Sequence, residues 1–327
     1  MQPTMRTEVR LPITQTGKLR LEHGETWMEM LVEGRARGLV AALVLVTLGS
    51  SAPGQSNPAF DGNAIGTVAH LKDFQVIELR RYTIKEGERE HFAQYFDTYF
   101  PEALEQVGTL VLGAFFERKN SSGFTWIRGY HSMDDRAIAN ATFYFGPVWK
   151  EYKATMISLL QDSDNVLLLH PLTPERGVTV LPMVDPVTEA SGAQGVIVAQ
   201  IFAVKANGIN VFARQAEAAF AAYRGAGVRE AGLLASLDVP NTFPQLSFRT
   251  DGPFLVWLGI VEDDEALATR FHPAMEKGMP SLAATGLLRS DPETVILDPT
   301  RRSRLRWLST AESQPSTAND GQGMKRW

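Results

Sequence analysis

The sequence predicts an α+β fold made of two ferredoxin-like units in one chain, each running strand, helix, strand, strand, helix, strand. Three observations carry that prediction. Apolar residues alternate at period two over short stretches and recur at helical spacing between them. The resulting order of elements occurs twice, over residues 72–172 and 194–308. The two copies also match at their start: Val76-Ile77 with Val196-Ile197, Tyr82 with Phe202, Lys85 with Lys205 and Phe92 with Phe212, all 120 positions apart.

In the first unit, Phe74 to Tyr82 alternates as a strand does, with Ile77 and Leu79 on one face and Glu78, Arg80 and Tyr82 on the other. Lys85-Glu86-Gly87 turns the chain. Phe92, Tyr95, Phe96, Tyr99 and Phe100 then recur at helical spacing, Pro101 interrupts them, and Leu104 and Val107 continue to a stop at Gly108. Leu110 to Arg118 reads as a second strand, residues 119–123 as a hairpin turn and Phe124 to Tyr130 as its partner. Ser132 or Asp134 caps the next helix, Gly146-Pro147 divides it, and helix resumes to about Leu160. Asn165 to His170 is the closing strand. In the second unit Gly232 stands for Gly113, Trp257 for Trp126 and Asp263-Asp264 for Asp134-Asp135, while an irregular insertion from Asp238 to Pro253 replaces the tight turn.

Composition narrows the function classes. A chain of 327 residues with 44% apolar residues has enough apolar surface for a sizeable core. A net charge of −5 provides no basic footprint for nucleic acid, and no nucleic-acid partner is expected. With no cysteine, disulfides, thiolate nucleophiles and zinc-thiolate sites are excluded.

Residues 1–52 read as a lead ending in a signal-like segment, 35–52. There, Arg35 and Arg37 precede the apolar run Leu39 to Leu48, and Ser50-x-Ala52 follows. Export to the periplasm or beyond is expected if that segment is used, and a cytoplasmic location otherwise. The apolar run is short against the roughly 20 residues of a membrane span, so no stable span is expected in the mature chain. Residues 53–71 and 173–193 read as linkers, and 309–327 as a disordered tail. Duplication supplies a partner unit internally, which makes either a monomer or a homodimer workable.

Two sets of residues could carry chemistry. If Ile77, Leu79 and Ile127 face the helices, alternation sends Glu78, Arg80, Trp126 and Arg128 to the opposite face, against a partner sheet. Charges there must be paired, so Glu78 is expected to bridge Arg80 or Arg128 as a structural ion pair, or the arginines to hold a ligand carboxylate. The second set is a cleft between helices and sheet lined by His91, Tyr95, Tyr144 and Trp149. No two histidines have the spacing of a helical metal pair, and neither a metal nor a cofactor is expected.

Several runs resemble the NIPSNAP family of the dimeric α/β-barrel superfamily: IELRRYTIKEG from Ile77, FGPVWKEY from Phe145, SDNVLLLHP from Ser163, PNTFPQLSFR from Pro240 and LDPTRRSRLR from Leu297. The resemblance implies that the two ferredoxin-like units pack sheet to sheet as an intramolecular dimeric α/β-barrel. It brings no agreed catalytic residues. Relatives in the wider superfamily include cofactor-independent monooxygenases and haem-binding proteins, whose activities rest on local constellations that a shared fold does not transfer. Two readings follow. One is a barrel protein that binds a small apolar or aromatic ligand or a protein partner. The alternative is a cofactor-independent monooxygenase- or isomerase-like enzyme acting on a small aromatic substrate. A ligand is expected in the first unit, because Val211 and Gly259 stand where His91 and Arg128 do.

Overall fold

The computed structural model describes residues 69–70 and 74–308. In chain order the first half contains β1 (Ala69–His70), β2 (Val76–Ile84), α1 (Arg89–Tyr99), α2 (Pro101–Glu105), β3 (Leu110–Glu117), β4 (Gly123–Tyr130), α3 (Met133–Tyr144), α4 (Pro147–Leu159) and β5 (Leu160–Pro171). After a short β6 (Thr179–Val180), the second half contains β7 (Val196–Ala203), α5 (Ile209–Gly225), β8 (Arg229–Ser236), β9 (Phe254–Val261), α6 (Asp264–Ala266), α7 (His272–Ala284) and β10 (Glu293–Pro299). The signal-like segment, most of the first expected linker and the 309–327 tail lie outside the described residues. Among the described residues no helix is long and apolar enough to cross a membrane.

Eight antiparallel strands close into one barrel in the order β10-β3-β4-β2-β5-β8-β9-β7. Within the first half the neighbours run β3-β4-β2-β5, and within the second they run β8-β9-β7-β10, the same order by position in the chain. The expected face-to-face packing thus takes the form of a single closed sheet. Two separate sheets would leave β5, β8, β3 and β10 as unpaired edges. Here Leu169 to Pro171 pair with Leu234 to Ser236, and Leu297 to Pro299 pair with Phe115 to Glu117.

The barrel interior is aliphatic. Ile77, Leu79, Ile127, Leu167, Ile197, Val256 and Leu258 belong to one buried cluster there. This reverses the expected faces, since Glu78, Arg80, Trp126 and Arg128 therefore point outward to the helices. The reason is that β4 is buried at every position and β2 at all but two. Alternation separates the two faces of such strands but cannot say which one is inside. The rings of α1 settle the matter: Phe92, Phe96 and Phe100 pack with Tyr82, Phe124 and Trp126 on the outer face.

The segments read as linkers are also more engaged than expected. Ala69–His70 pairs with Thr179–Val180, and Val178 and Val180 join the barrel-interior cluster. From the end of the second unit Leu305 joins the same cluster, its N–H donating to the Leu112 carbonyl at 2.9 Å.

The helix signals hold locally. The Ser132 hydroxyl accepts from the Asp135 N–H at 3.1 Å and caps α3. Gly146 and Pro147 divide α3 from α4, and a Cβ at Gly146 would sit 2.5 Å from the Thr142 carbonyl oxygen, so only glycine fits that break. The insertion 237–253 runs along β5, with the Leu237 and Arg249 N–H groups donating to the carbonyls of Leu168 and Val166.

Candidate functional site

Pairing of β2 with β4 sets Glu78 opposite Arg128 and Arg80 opposite Trp126 on the helix-facing side. Above them α3 presents Arg136, Asn140 and Tyr144, spaced at i, i+4 and i+8 and all buried. The three arginines converge on one carboxylate. Glu78 Oε2 accepts from Arg80 Nη1 at 2.6 Å and from Arg128 Nε at 2.7 Å, and Oε1 accepts from Arg136 Nε at 2.6 Å. Glu78, Arg128 and Arg136 are each 0% exposed and Arg80 is 2% exposed.

Burial alone would raise the Glu78 pKa, but Arg128, Arg80 and Arg136 outweigh it and hold the carboxyl well below the usual carboxylate range. Burial opposes the charge on Arg128 as well, but its neighbours together, Glu78 foremost, outweigh burial, so its pKa is raised. The cluster therefore holds one negative and three positive charges, a surplus of two positive charges on buried side chains.

Aromatic rings frame the charges. The Arg128 guanidinium lies 4.9 Å from the Trp126 ring and 5.4 Å from the Tyr130 ring, and Arg80 lies 5.5 Å from the Tyr82 ring. Arg80 Nε donates to the Tyr82 hydroxyl at 2.8 Å, and the Tyr130 hydroxyl donates to Asn140 Oδ1 at 3.0 Å. Tyr144 meets Trp149 edge to face at 4.9 Å. Burial raises the pKa of both Tyr130 and Tyr144, which keeps their hydroxyls protonated.

Five donors in this cluster have no hydrogen-bond partner: Arg128 Nη1, Arg136 Nη2, Asn140 Nδ2, Trp126 Nε1 and Trp149 Nε1. Buried donors are normally satisfied, because an unmade bond costs about 1–3 kcal/mol. Such a set matches an acceptor with several lone pairs.

The cover over the cluster comes from the other half. Asn241 Oδ1 accepts from Arg136 Nη1 at 3.0 Å, Phe243 stacks on Tyr144 at 6.0 Å, and Phe248 lies 5.8 Å from the Arg136 guanidinium. The Thr242 hydroxyl adds a bond to the Met133 carbonyl at 3.0 Å. The insertion between β8 and β9 thus closes over the first half's charges.

Of the residues expected to act, Glu78, Arg80, Trp126, Arg128, Tyr144 and Trp149 come together here. His91 and Tyr95 do not. His91 is exposed and its Nδ1 lies 3.0 Å from Glu88 Oε2, while the Tyr95 hydroxyl donates to the Tyr152 carbonyl at 3.2 Å. The expected ion pair is in fact a four-member group. Asn140 was missed, although its i, i+4, i+8 stripe with Arg136 and Tyr144 is visible in the sequence as polar residues on a helix's inner face, and the sequence already sets Arg136 and Arg128 beside an aromatic-rich stretch that could line a pocket. The run from Pro240 contains Asn241 and Phe243, but nothing local says that they meet Arg136 and Tyr144, 105 and 99 residues earlier in the chain. Among the described residues no group of His, Asp or Glu is placed to hold a metal ion.

The sequence model of the NIPSNAP family matches residues 77–173. No curated protein matches the chain. Among solved structures, a Lactobacillus acidophilus protein with the provisional designation monooxygenase is similar over 71% of this chain and 97% of its own, at 13% identity and a TM-score of 0.48. A NIPSNAP-like domain protein from Burkholderia xenovorans is similar over 31% of this chain and 88% of its own, at 24% identity and a TM-score of 0.29. A NIPSNAP family protein from Agrobacterium tumefaciens is similar over 30% of this chain and 92% of its own, at 20% identity and a TM-score of 0.28.

Proposed function

We propose that this chain, which carries a NIPSNAP domain at residues 77–173, binds a small apolar or aromatic molecule bearing a carboxylate or enolate oxygen, between the outer face of β2 and β4 and helices α3 and α4. The observation that carries the reading is the surplus of buried positive charge with unmade donors around it. A structural ion pair needs one cation per anion, and each uncompensated buried charge is costly. A ligand oxygen on Arg128 and Arg136, with the indole N–H groups of Trp126 and Trp149 beside it, would supply the missing acceptor. Each charge-assisted bond so made contributes about 1.5–3 kcal/mol.

The same electrostatics argue for binding rather than catalysis. Proton abstraction needs a base whose pKa is near the working pH. Glu78 is the cluster's carboxylate, and three arginines make it a very weak base. The enzyme alternative thus lacks a proton acceptor within the group. Ligand entry needs the 237–253 insertion to lift, since Phe243 and Asn241 sit on Tyr144 and Arg136. The shared strand order of the halves supports the duplicated ferredoxin-like reading. Barrel closure within one chain supports a monomer, because the joining edges are already paired.

The test compares 1-naphthoate with neutral 1-naphthalenemethanol by calorimetry and thermal shift. Wild-type protein is expected to bind the acid and to be stabilised by it, with little response to the alcohol. The quadruple variant Glu78→Leu/Arg80→Met/Arg128→Met/Arg136→Met replaces all four charges by apolar volume, which keeps the fold viable. Loss of naphthoate binding by that folded variant supports the site, and unchanged binding removes it.

A further inference from the structure

A second recess lies at the end of the second half, where β8 begins, β9 ends and the chain after β10 folds back. Its volume is about 620 Å³, within the range of small-molecule sites, and Leu181, Val228, Ile260 and Leu305 supply apolar wall. Five arginines also reach this wall, and four of them are matched. Arg176 and Arg224 each pair with both Glu217 and Glu230, Arg304 pairs with Glu105, and Arg306 pairs with Glu189.

Arg229 is the exception. Its Nη1 donates to the Leu308 carbonyl at 3.0 Å and its guanidinium lies 3.6 Å over the Trp307 ring; among the described residues it makes no ion pair. Burial lowers its pKa, and Glu262 offsets only part of that. The lining is thus an apolar surface with paired arginines and the Glu175 carboxylate at its rim, and one arginine, Arg229, that makes no ion pair among the described residues and lies over an indole.

We infer that this recess is a second ligand site, which takes a soluble monocarboxylate with an apolar body, the carboxylate on Arg229 and the chain or ring against Val228, Ile260 and Leu305. Arginine's planar fork suits a carboxylate, and the four matched arginines leave no attraction for a second negative charge. The site is separate from the Glu78 group, which sits under the helices of the first half.

The probe is sodium octanoate, set against octanol, on the full chain by calorimetry. Octanoate is expected to bind at least about tenfold more tightly than octanol, and Arg229→Met to abolish that difference. Leu308→Trp, at the rim, is expected to weaken both probes. The Glu78→Leu/Arg80→Met/Arg128→Met/Arg136→Met variant is expected to bind octanoate as wild type does, which separates this site from the other. Equal affinity for octanol and octanoate in wild type, an undiminished preference in Arg229→Met, or loss of octanoate in the quadruple variant would each overturn the inference. If Arg229→Met does not fold, Arg229→Lys keeps the charge but loses the fork and the indole contact; octanoate affinity unchanged in it would also overturn the inference, and a fall would support it.

Discussion

The two halves of the barrel place opposite chemistry on one framework. On the helix-facing side of β2 and β4 stand Glu78, Arg80, Tyr82, Trp126, Arg128 and Tyr130; at the equivalent register of β7 and β9 stand Val198, Gln200, Phe202, Trp257, Gly259 and Val261. The second half fills the space with rings. Trp257 lies nearly parallel to Phe220 and Phe271, at interplanar angles of 12° and 5°, and a Cβ at Gly259 would fall 2.3 Å from the Trp257 ring, so the indole occupies the room that the Arg128 side chain takes in the first half. The fold therefore does not need the charges. Their presence in one half, fully buried and unbalanced, is a cost that stability alone does not explain.

The largest effect expected from breaking this contrast is at Glu78. Glu78→Gln leaves three buried guanidinium groups without a counter-charge and should lower unfolding stability by about 3–5 kcal/mol in urea titrations. Val198→Ala at the matching position should cost on the order of 2 kcal/mol, as an ordinary cavity does. Equal losses would mean that the two positions play equal parts. Rewriting the first half in the manner of the second sharpens the point: the quadruple apolar variant described above, which removes Arg80 with the other three charges, should be as stable as wild type, or up to about 4 kcal/mol more stable. A collapse of that variant would assign the arginines to structure instead.

Asn241 tests the cover that one half lends the other. Asn241→Ala removes the acceptor of Arg136 Nη1 and should cost about 1–3 kcal/mol, with faster hydrogen exchange in α3 and none in α5.

The smallest effect concerns Asp97 on α1, whose carboxyl accepts from the Thr300 hydroxyl at 3.3 Å. Burial pushes its pKa up to about 6, against 3.8 in the unfolded chain. The folded state then holds this proton more tightly, so its penalty is absent below pH 4, grows through the window from about 4 to about 6 and is complete above it. Asp97→Asn should raise the melting temperature at pH 8 and leave it unchanged near pH 3. A uniform shift at both pH values would exclude a titration effect.

The sequence by itself determined the elements and much of the cluster. Period-two alternation, the aromatic spacing of α1, the Ser132 cap and the Gly146-Pro147 break each act through neighbours a few residues away, so each was legible. The pairing that places Arg128 beside Glu78 joins β2 to β4 across two helices and a strand, and it followed from the repeated order of elements, not from the β3–β4 hairpin. Tertiary structure alone decided which face of β2 looks inward, because both faces are buried and alternation is symmetric between them. It also decided that one carboxylate serves three arginines, and that Asn241 and Phe243 from the second half cover them. Contacts of that kind depend on how the barrel closes and on the path of an irregular insertion, and no local periodicity encodes either. His91 stands outside the cluster for a related reason: one position away from a buried residue on a helix can still be open to solvent, and only the packing of α1 showed that it was.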